Sequence, residues 1–253
     1  MTPFVMIDPG HGGIDPGGGT NNLFKEKDLV LKMSLYQYQR FLELNIPTLL
    51  TRSTDMTLGS DQRASLVRNS GARYCLCNHV NSGGGHGAEG IYSIHASSAM
   101  ARSLFEEIET VGMPVRRTYT RTLPNNPQLD YYFMHRDTGN VETVIIEYGF
   151  ADNPTDAQLL NTKWENLAEA VVRGFAEFTN RPYTPPQTTT PDPDPDPDPN
   201  PDPPADWKQE AVSWLYQEGI LTNEDWRHNY DNPLPLWAEA VVLRRLYEKL
   251  TKK

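Results

Sequence analysis

Between residues 182 and 204 the chain reads as Pro-Asp repeats, and this stretch limits how the rest can fold. Proline lacks the amide hydrogen that helices and sheets require, and the like-charged aspartates repel one another. About 20 residues in polyproline II form would span roughly 60 Å. The stretch reads as a semi-rigid spacer, so folded structure is expected in two blocks, residues 1–181 and 205–253. The first is long enough to bury a substantial core, and the second is too short for a large one.

Charge follows the same division. The formal net charge is -10, but Asp192, Asp194, Asp196, Asp198 and Asp202 all lie in the spacer. Residues 1–190 carry 16 basic and 20 acidic side chains, and residues 205–253 carry 7 and 8. No basic patch suits nucleic acid. No apolar run approaches the roughly 18 residues of a membrane span, so none is expected. The chain enters a strand directly, without the basic and apolar segments of an export signal, so export by that route is not expected unless a signal has been removed. Cys75 and Cys77 sit two apart in one apolar run. In a strand they point to the same side as His79, in poor geometry for a mutual disulfide, and they read as buried core.

In the first block strands alternate with helices. Phe4–Ile7 is a short buried strand stopped by Asp8-Pro9-Gly10, and His11 follows in a glycine loop. A helix is expected over 25–44, a strand over 46–51 and a short helix over 60–69. Residues 73–78 form a strand that ends at His79, and 88–95 another, followed by a helix over 97–111. Residues 112–140, with Arg116, Arg117 and Arg121, suggest a loop and an irregular strand. Val141–Ile146 is a strand with Glu147 at its end, Asn153-Pro154 opens a turn or short helix, and 163–178 is a final helix. The expected fold class is α/β: a twisted, mostly parallel sheet flanked by helices, plus a small helical C-terminal module. In such sheets the ligand crevice lies beyond the carboxyl ends of the strands.

Three candidate strands end in a chemically capable residue: His11, His79 and Glu147. Two histidines and a carboxylate suit a catalytic zinc site, with three protein ligands and one position open to water. Glu26, in the first turn of a helix, is the best third ligand. Hydrolysis also needs a carboxylate not bound to the metal, and Glu147 is the natural candidate. The residues alone leave the choice open, because Asp8, Glu89, His95, His135 and Glu142 compete as ligands.

The runs Ile7-Asp8-Pro9-Gly10-His11-Gly12-Gly13, Glu26 before its helix, Leu50-Thr51-Arg52, Arg63, His79-Val80-Asn81, Glu89-Gly90, and Ile146-Glu147-Tyr148-Gly149-Phe150 with Asn153 occur in one order. Together they resemble the zinc-dependent N-acetylmuramoyl-L-alanine amidases of the amidase-3 type, over about residues 1–180. That resemblance implies His11, Glu26 and His79 as Zn2+ ligands and Glu147 as the catalytic acid–base. The reaction it implies is hydrolysis of the amide between the lactyl group of N-acetylmuramic acid and L-alanine in peptidoglycan. Cys77-Asn78-His79-Val80-Asn81 departs from the family's usual Ser-Ile-His-Ala-Asn but keeps the histidine and the asparagine. Asn81, Arg116, Arg117 and Arg121 are candidate substrate contacts, the arginines toward stem-peptide carboxylates.

The tail is expected to form a helix over 207–218, a stop at Gly219, a loop to Asn232 and a helix over about 236–250. It carries Trp207, Trp214, Trp226 and Trp237, and weakly resembles one S-layer-homology-like unit, which implies binding to a wall polymer. The whole plan resembles a phage endolysin, a monomer held in the host cytoplasm before lysis and then acting on the wall; the alternative is a bacterial autolysin or sporulation amidase. Two rival readings are a catalytically silent wall-binding protein and a metallocarboxypeptidase acting on stem peptides.

Overall fold

Strand and helix alternate along residues 5–178 as the apolar pattern requires. The computed structural model describes residues 3–186, 207–222, 241, 242, 244 and 245. Its elements are β1 (Val5–Pro9), α1 (Glu26–Glu43), β2 (Thr48–Leu50), α2 (Ser60–Arg68), β3 (Tyr74–Asn81), β4 (Ala88–Tyr92), α3 (Ala99–Thr110), β5 (Val115–Tyr119), β6 (Thr122–Leu123), β7 (Asn126–Asp130), α4 (Phe133–Arg136), β8 (Glu142–Phe150), α5 (Pro154–Phe178) and α6 (Trp207–Gln217). The chain divides into two units, Met1–Gln187 and Thr188–Lys253.

Six strands form one sheet in the order β2-β1-β3-β8-β4-β5. Strands β2, β1, β3 and β8 are parallel, β4 runs antiparallel to β8, and β5 is parallel to β4. The mostly parallel sheet therefore contains one reversal, at β8–β4. Strands β6 and β7 form a separate ribbon in the stretch expected to be irregular.

Two expected boundaries move. The strands containing His79 and Glu147 run on to Asn81 and Phe150, because the two residues are themselves partners in the β3–β8 ladder. The two expected C-terminal helical segments are one helix, α5, interrupted only at Lys163 (φ -123°, ψ 20°). Its start is well specified: the Asn153 side chain accepts from the amides of Thr155 and Asp156, and Pro154 needs no donor in the first turn.

The period of two gives the sheet two unlike faces. Val5 and Ile7, Tyr74, Leu76 and Val80, and Val144, Ile146 and Tyr148 face the large core shared with α1, α3 and α5. Met6, Cys75, Cys77, Ile91 and Ile145 face a smaller cluster with Val67 of α2 and Met134 of α4. Both cysteines are buried and free, as expected. Helices α2 and α4 have only 9 and 4 residues, so this face is thinly covered. His79 and Glu147, at odd positions, emerge on it.

A polar chain crosses the thick face. The Asn78 amide donates to Ser34 Oγ (2.7 Å) and Gln37 Oε1 (2.7 Å), Gln37 Nε2 donates to Tyr148 Oη (2.8 Å), and Tyr148 donates to Asn78 Oδ1 (3.0 Å). These bonds tie α1 to β3 and β8, directly behind the face that carries His79 and Glu147.

In the second unit α6 ends near the expected place, and Gly219 takes the left-handed conformation (φ 65°) that stops a helix. Residues 241, 242, 244 and 245 are helical, within the expected second helix. Residues 187–206, with the Asp-containing repeats, and 223–240, with Trp226, Trp237 and most of the expected loop to Asn232, lie outside the described residues. Among the described residues no helix is long and apolar enough to cross a membrane.

Replacing Tyr148 with phenylalanine strips a buried acceptor of its donor. Denaturant unfolding is expected to show a loss of about 1–3 kcal/mol, and an unchanged midpoint would refute the role given to the polar chain.

Candidate active site

The site begins where β1 stops. Asp8 is fully buried on the thin face, where Arg63 Nη1 and Thr51 Oγ1 each donate to its Oδ1 at 2.6 Å, and the Cys77 thiol donates to Oδ2 at 3.0 Å. Burial pushes the Asp8 carboxyl upward, but the Arg63 charge and these bonds hold it below its ordinary value. Burial also raises the Cys77 thiol, which stays protonated and donates. Arg63 also donates to the carbonyls of Pro9 (2.7 Å) and His11 (2.7 Å). From the other side Arg52 donates to the carbonyls of Pro9 (3.0 Å), Gly10 (2.8 Å) and Lys27 (2.9 Å). Two arginines thus hold the loop in which His11 adopts a left-handed backbone (φ 56°).

Held this way, His11 meets Glu26 and His79. Glu26 Oε1 lies 3.0 Å from His11 Nε2 and 3.1 Å from His79 Nδ1, and the two imidazole centroids are 4.8 Å apart. Glu26 is the first residue of α1, is almost fully buried, and accepts backbone amides from Gly19 (2.7 Å) and Val80 (2.9 Å). Burial opposes its ionisation, but hydrogen bonds from both histidines outweigh that and keep it a carboxylate. For His11, burial favours the neutral ring, yet Glu26 and Asp15 raise it to about 9. Asp15 Oδ2, 2.8 Å from His11 Nδ1, fixes the ring so that Nε2 faces inward. Glycines allow the approach: a Cβ on Gly10 would overlap the His79 ring, and one on Gly17 would overlap the Glu26 carboxylate.

The donor set fits a divalent metal. One ring nitrogen from each histidine and one carboxylate oxygen lie within 4.8 Å of one another. Two imidazoles and a carboxylate are a zinc-type set that leaves a fourth position for water. Asp8, Cys77 and His79 form a second group of the same compactness. There Asp8 is committed to Arg63 and Thr51 and Cys77 remains a thiol, so the group lacks free anionic donors.

Glu147 stands beside His79 as its register partner. Its Oε2 is buried and has no hydrogen-bond partner among the described residues. Burial, chiefly, raises its carboxyl to about 7; His79 pulls it down, and Glu26 and Glu89 push it up. With His11 and His79 it lines a cavity of about 200 Å³ walled by Tyr132, Phe133 and Met134. That wall comes from residues 112–140, the stretch expected to be a loop and an irregular strand. Asp15, four residues after His11, carries no signal in the sequence beyond its place in the glycine loop.

None of the remaining candidates belongs to the His11–Glu26–His79 group. Asn81 and Arg116 both turn to Glu89. Arg121 stacks 3.8 Å from the Tyr131 ring centroid and lies 6.0 Å from that of Tyr132, a wall residue of the cavity holding Glu147. His95, His135 and Glu142 line a different cavity of about 410 Å³, where burial lowers His135 to about 4.

The family model described as Amidase_3, N-acetylmuramoyl-L-alanine amidase, matches residues 5–177. The chain is 33% identical over 176 residues to N-acetylmuramoyl-L-alanine amidase CwlM of Bacillus licheniformis, covering 68% of this chain and 65% of that protein. It is 32% identical over 187 residues to a sporulation-specific N-acetylmuramoyl-L-alanine amidase of Bacillus subtilis, again covering 68% and 65%. The chain thus spans just under two thirds of the length of both relatives. Among solved structures, the catalytic domain of CwlV, an N-acetylmuramoyl-L-alanine amidase from Bacillus (Paenibacillus) polymyxa var. colistinus, superposes with a TM-score of 0.62 at 25% identity, covering 71% of this chain and 99% of that one. With the family model matched over residues 5–177, more than half of its length, the chain belongs to the N-acetylmuramoyl-L-alanine amidase family.

Proposed function

We propose that this chain is a zinc hydrolase that cleaves the amide between the lactyl group of N-acetylmuramic acid and L-alanine of peptidoglycan. The observation that carries the reading is the meeting of the His11–Glu26–His79 donor set with an unbonded carboxylate, Glu147, poised near neutrality in the same cavity. A zinc ion held by His11, Glu26 and His79 would lower the pKa of its water and polarise the scissile carbonyl. Glu147, in its ionised form, takes the proton of the attacking water. As the carbon–oxygen bond forms and the carbon–nitrogen bond breaks, Glu147 returns that proton to the departing nitrogen. The products are a free lactyl carboxylate and a stem peptide with a new amine terminus. The Tyr132–Met134 wall and the buried Ile145 limit water around the carboxyl.

The second unit is read as a wall-affinity module joined through the Pro-Asp spacer. What supports this is the composition of residues 182–204 and the half-exposed Trp214 (51%) on α6, a planar apolar surface of the kind that stacks on sugars or polymers. A hydrolase, a stiff spacer and an affinity module together match the plan of a lytic enzyme of the phage type.

Glu147→Gln is expected to keep bound zinc at the wild-type stoichiometry while kcat on purified sacculi falls about 10²–10⁴-fold. Full turnover in that variant would remove Glu147 from the mechanism. Chelation should stop the release of intact stem peptides, as read by mass spectrometry, and added zinc should restore it. Single released amino acids would indicate a carboxypeptidase, and binding without new amines a silent wall protein.

The raised His11 pKa sets the pH dependence of metal loading. Below about 9 the metal-free ring carries a proton that an incoming ion must displace. Apparent zinc affinity should therefore weaken about tenfold per pH unit on going down from 9 and level off above it. Flat affinity from pH 7 to 9 in competition titrations would contradict this. Trp214→Ala should lower retention on sacculi without changing turnover of a soluble muramoyl-peptide; equal retention would sink the module's assigned role.

A further inference from the structure

Register places four side chains in one row across the thin face of the sheet. His79 pairs with Glu147 between β3 and β8, Glu147 with Glu89 between β8 and β4, and Glu89 with Arg117 between β4 and β5. Directly paired residues present their side chains on the same face. Strands lie about 4.8 Å apart, so Arg117 stands roughly 10 Å from Glu147 and roughly 14 Å from His79.

The far end of this row is preorganised and positive. Glu89 is buried (2% exposed) and accepts from Arg117 Nε (2.9 Å), Arg116 Nη1 and Asn81 Nδ2 (3.1 Å). Both guanidiniums are about half exposed, and each has N–H groups beyond the one given to Glu89. Two cations against one carboxylate leave one positive charge in excess. Arg117 also stacks 4.1 Å from the Tyr119 ring centroid, and Tyr119 interacts with Tyr132 in the wall of the catalytic cavity. The cluster is therefore linked to a wall of that cavity through Tyr119 and Tyr132.

We propose that Arg116 and Arg117, held in place by Glu89, form an anion subsite for a carboxylate of the stem peptide on the leaving side of the scissile amide. The inference rests on the amidase reading above. Charge fixes the direction of the substrate: the lactyl carboxyl is consumed in the scissile amide and the sugars offer only hydroxyl and acetamido groups, so the free carboxylates belong to the peptide. An extended peptide advances about 3.3–3.6 Å per residue, which sets the subsite about three to four residues from the reacting carbon. The stem peptide then runs across the strands from β8 toward β5, and the glycan lies on the β1 side, beside His11.

The test uses zinc-loaded full-length protein and two synthetic muramoyl stem peptides that differ only in having their carboxylates free or amidated. The wild type is expected to favour the free form about tenfold in kcat/KM, mainly through KM, with the ratio shrinking as salt is added. Removing both arginines would strand a buried Glu89 carboxylate, so the informative variant is Glu89→Gln with Arg116→Gln and Arg117→Gln. Its ratio should collapse toward one, while Arg117→Lys alone should keep part of the preference. An unchanged ratio in the triple variant, or no preference in the wild type, would overturn the subsite. Fluorescence anisotropy of the same peptides on Glu147→Gln reads the subsite without turnover. Turnover with no carboxylate preference removes the subsite and leaves the amidase. A binding preference with neither peptide cleaved by the wild type removes the amidase reading and leaves an anion site.

Discussion

The buried pair of Asp8 and Arg63 is the contact on which the site-bearing end of the sheet depends. Asp8 is the last residue but one of β1, and Arg63 reaches it from α2. A charge taken out of water is tolerated only when it is paired and its other lone pairs are satisfied. Asp8 meets both conditions through Arg63, Thr51 and Cys77. The remaining donors of Arg63, with those of Arg52, then reach the carbonyls of Pro9, Gly10 and His11. The glycine-rich loop would otherwise be among the most pliable parts of the chain. It is instead bonded at three successive carbonyls, and His11 is held in a backbone conformation that non-glycine residues rarely adopt.

A second consequence follows from the unequal faces of the sheet. Three helices and most of the aliphatic residues cover one face, and the Asn78–Gln37–Tyr148 chain fixes the central strands to them. The opposite face has only the short α2 and α4. Polar groups can therefore emerge there without being buried under a full helical layer. His79, Glu147, Glu89 and Arg117 share that face, and their order along one row is fixed by backbone pairing rather than by side-chain contacts. Low local polarity near Ile145 and Met134 raises the Glu147 carboxyl, while Glu26, hydrogen-bonded by two imidazoles, remains ionised. Two carboxylates a few residues' reach apart are thus set to different protonation states by their surroundings.

Much of this was legible in the residues. The apolar runs at 4–7, 74–77 and 143–146 declared the central strands, and the turn Asp8-Pro9-Gly10 declared where the first one stops. His11, His79 and Glu147 stood out because each follows a candidate strand, and Glu26 because it falls in the first turn of a helix after the His11 loop. Less could be read where the signal depends on partners. Residues 112–140 lack a clean period because β5 is an edge strand and β6–β7 is a ribbon with largely exposed residues. Likewise β3 and β8 outlast their apolar stretches, since ladder hydrogen bonds continue through His79 and Glu147 whatever their polarity.

The sequence by itself determined the α/β class and the central strands, and it put His11, Glu26, His79 and Glu147 among several candidates for a hydrolytic metal site. These are properties of local pattern, and local pattern survives in a linear string. Only the tertiary structure decided that His11, Glu26 and His79 meet within 4.8 Å while His95, His135 and Glu142 do not. It also decided that Asp8 serves Arg63 instead of a metal, and that Glu89 and Arg117 extend the row from Glu147. Those outcomes depend on strand order and register across a reversal at β4, and the pairing of strands far apart in sequence is set by the shared core rather than by any one segment.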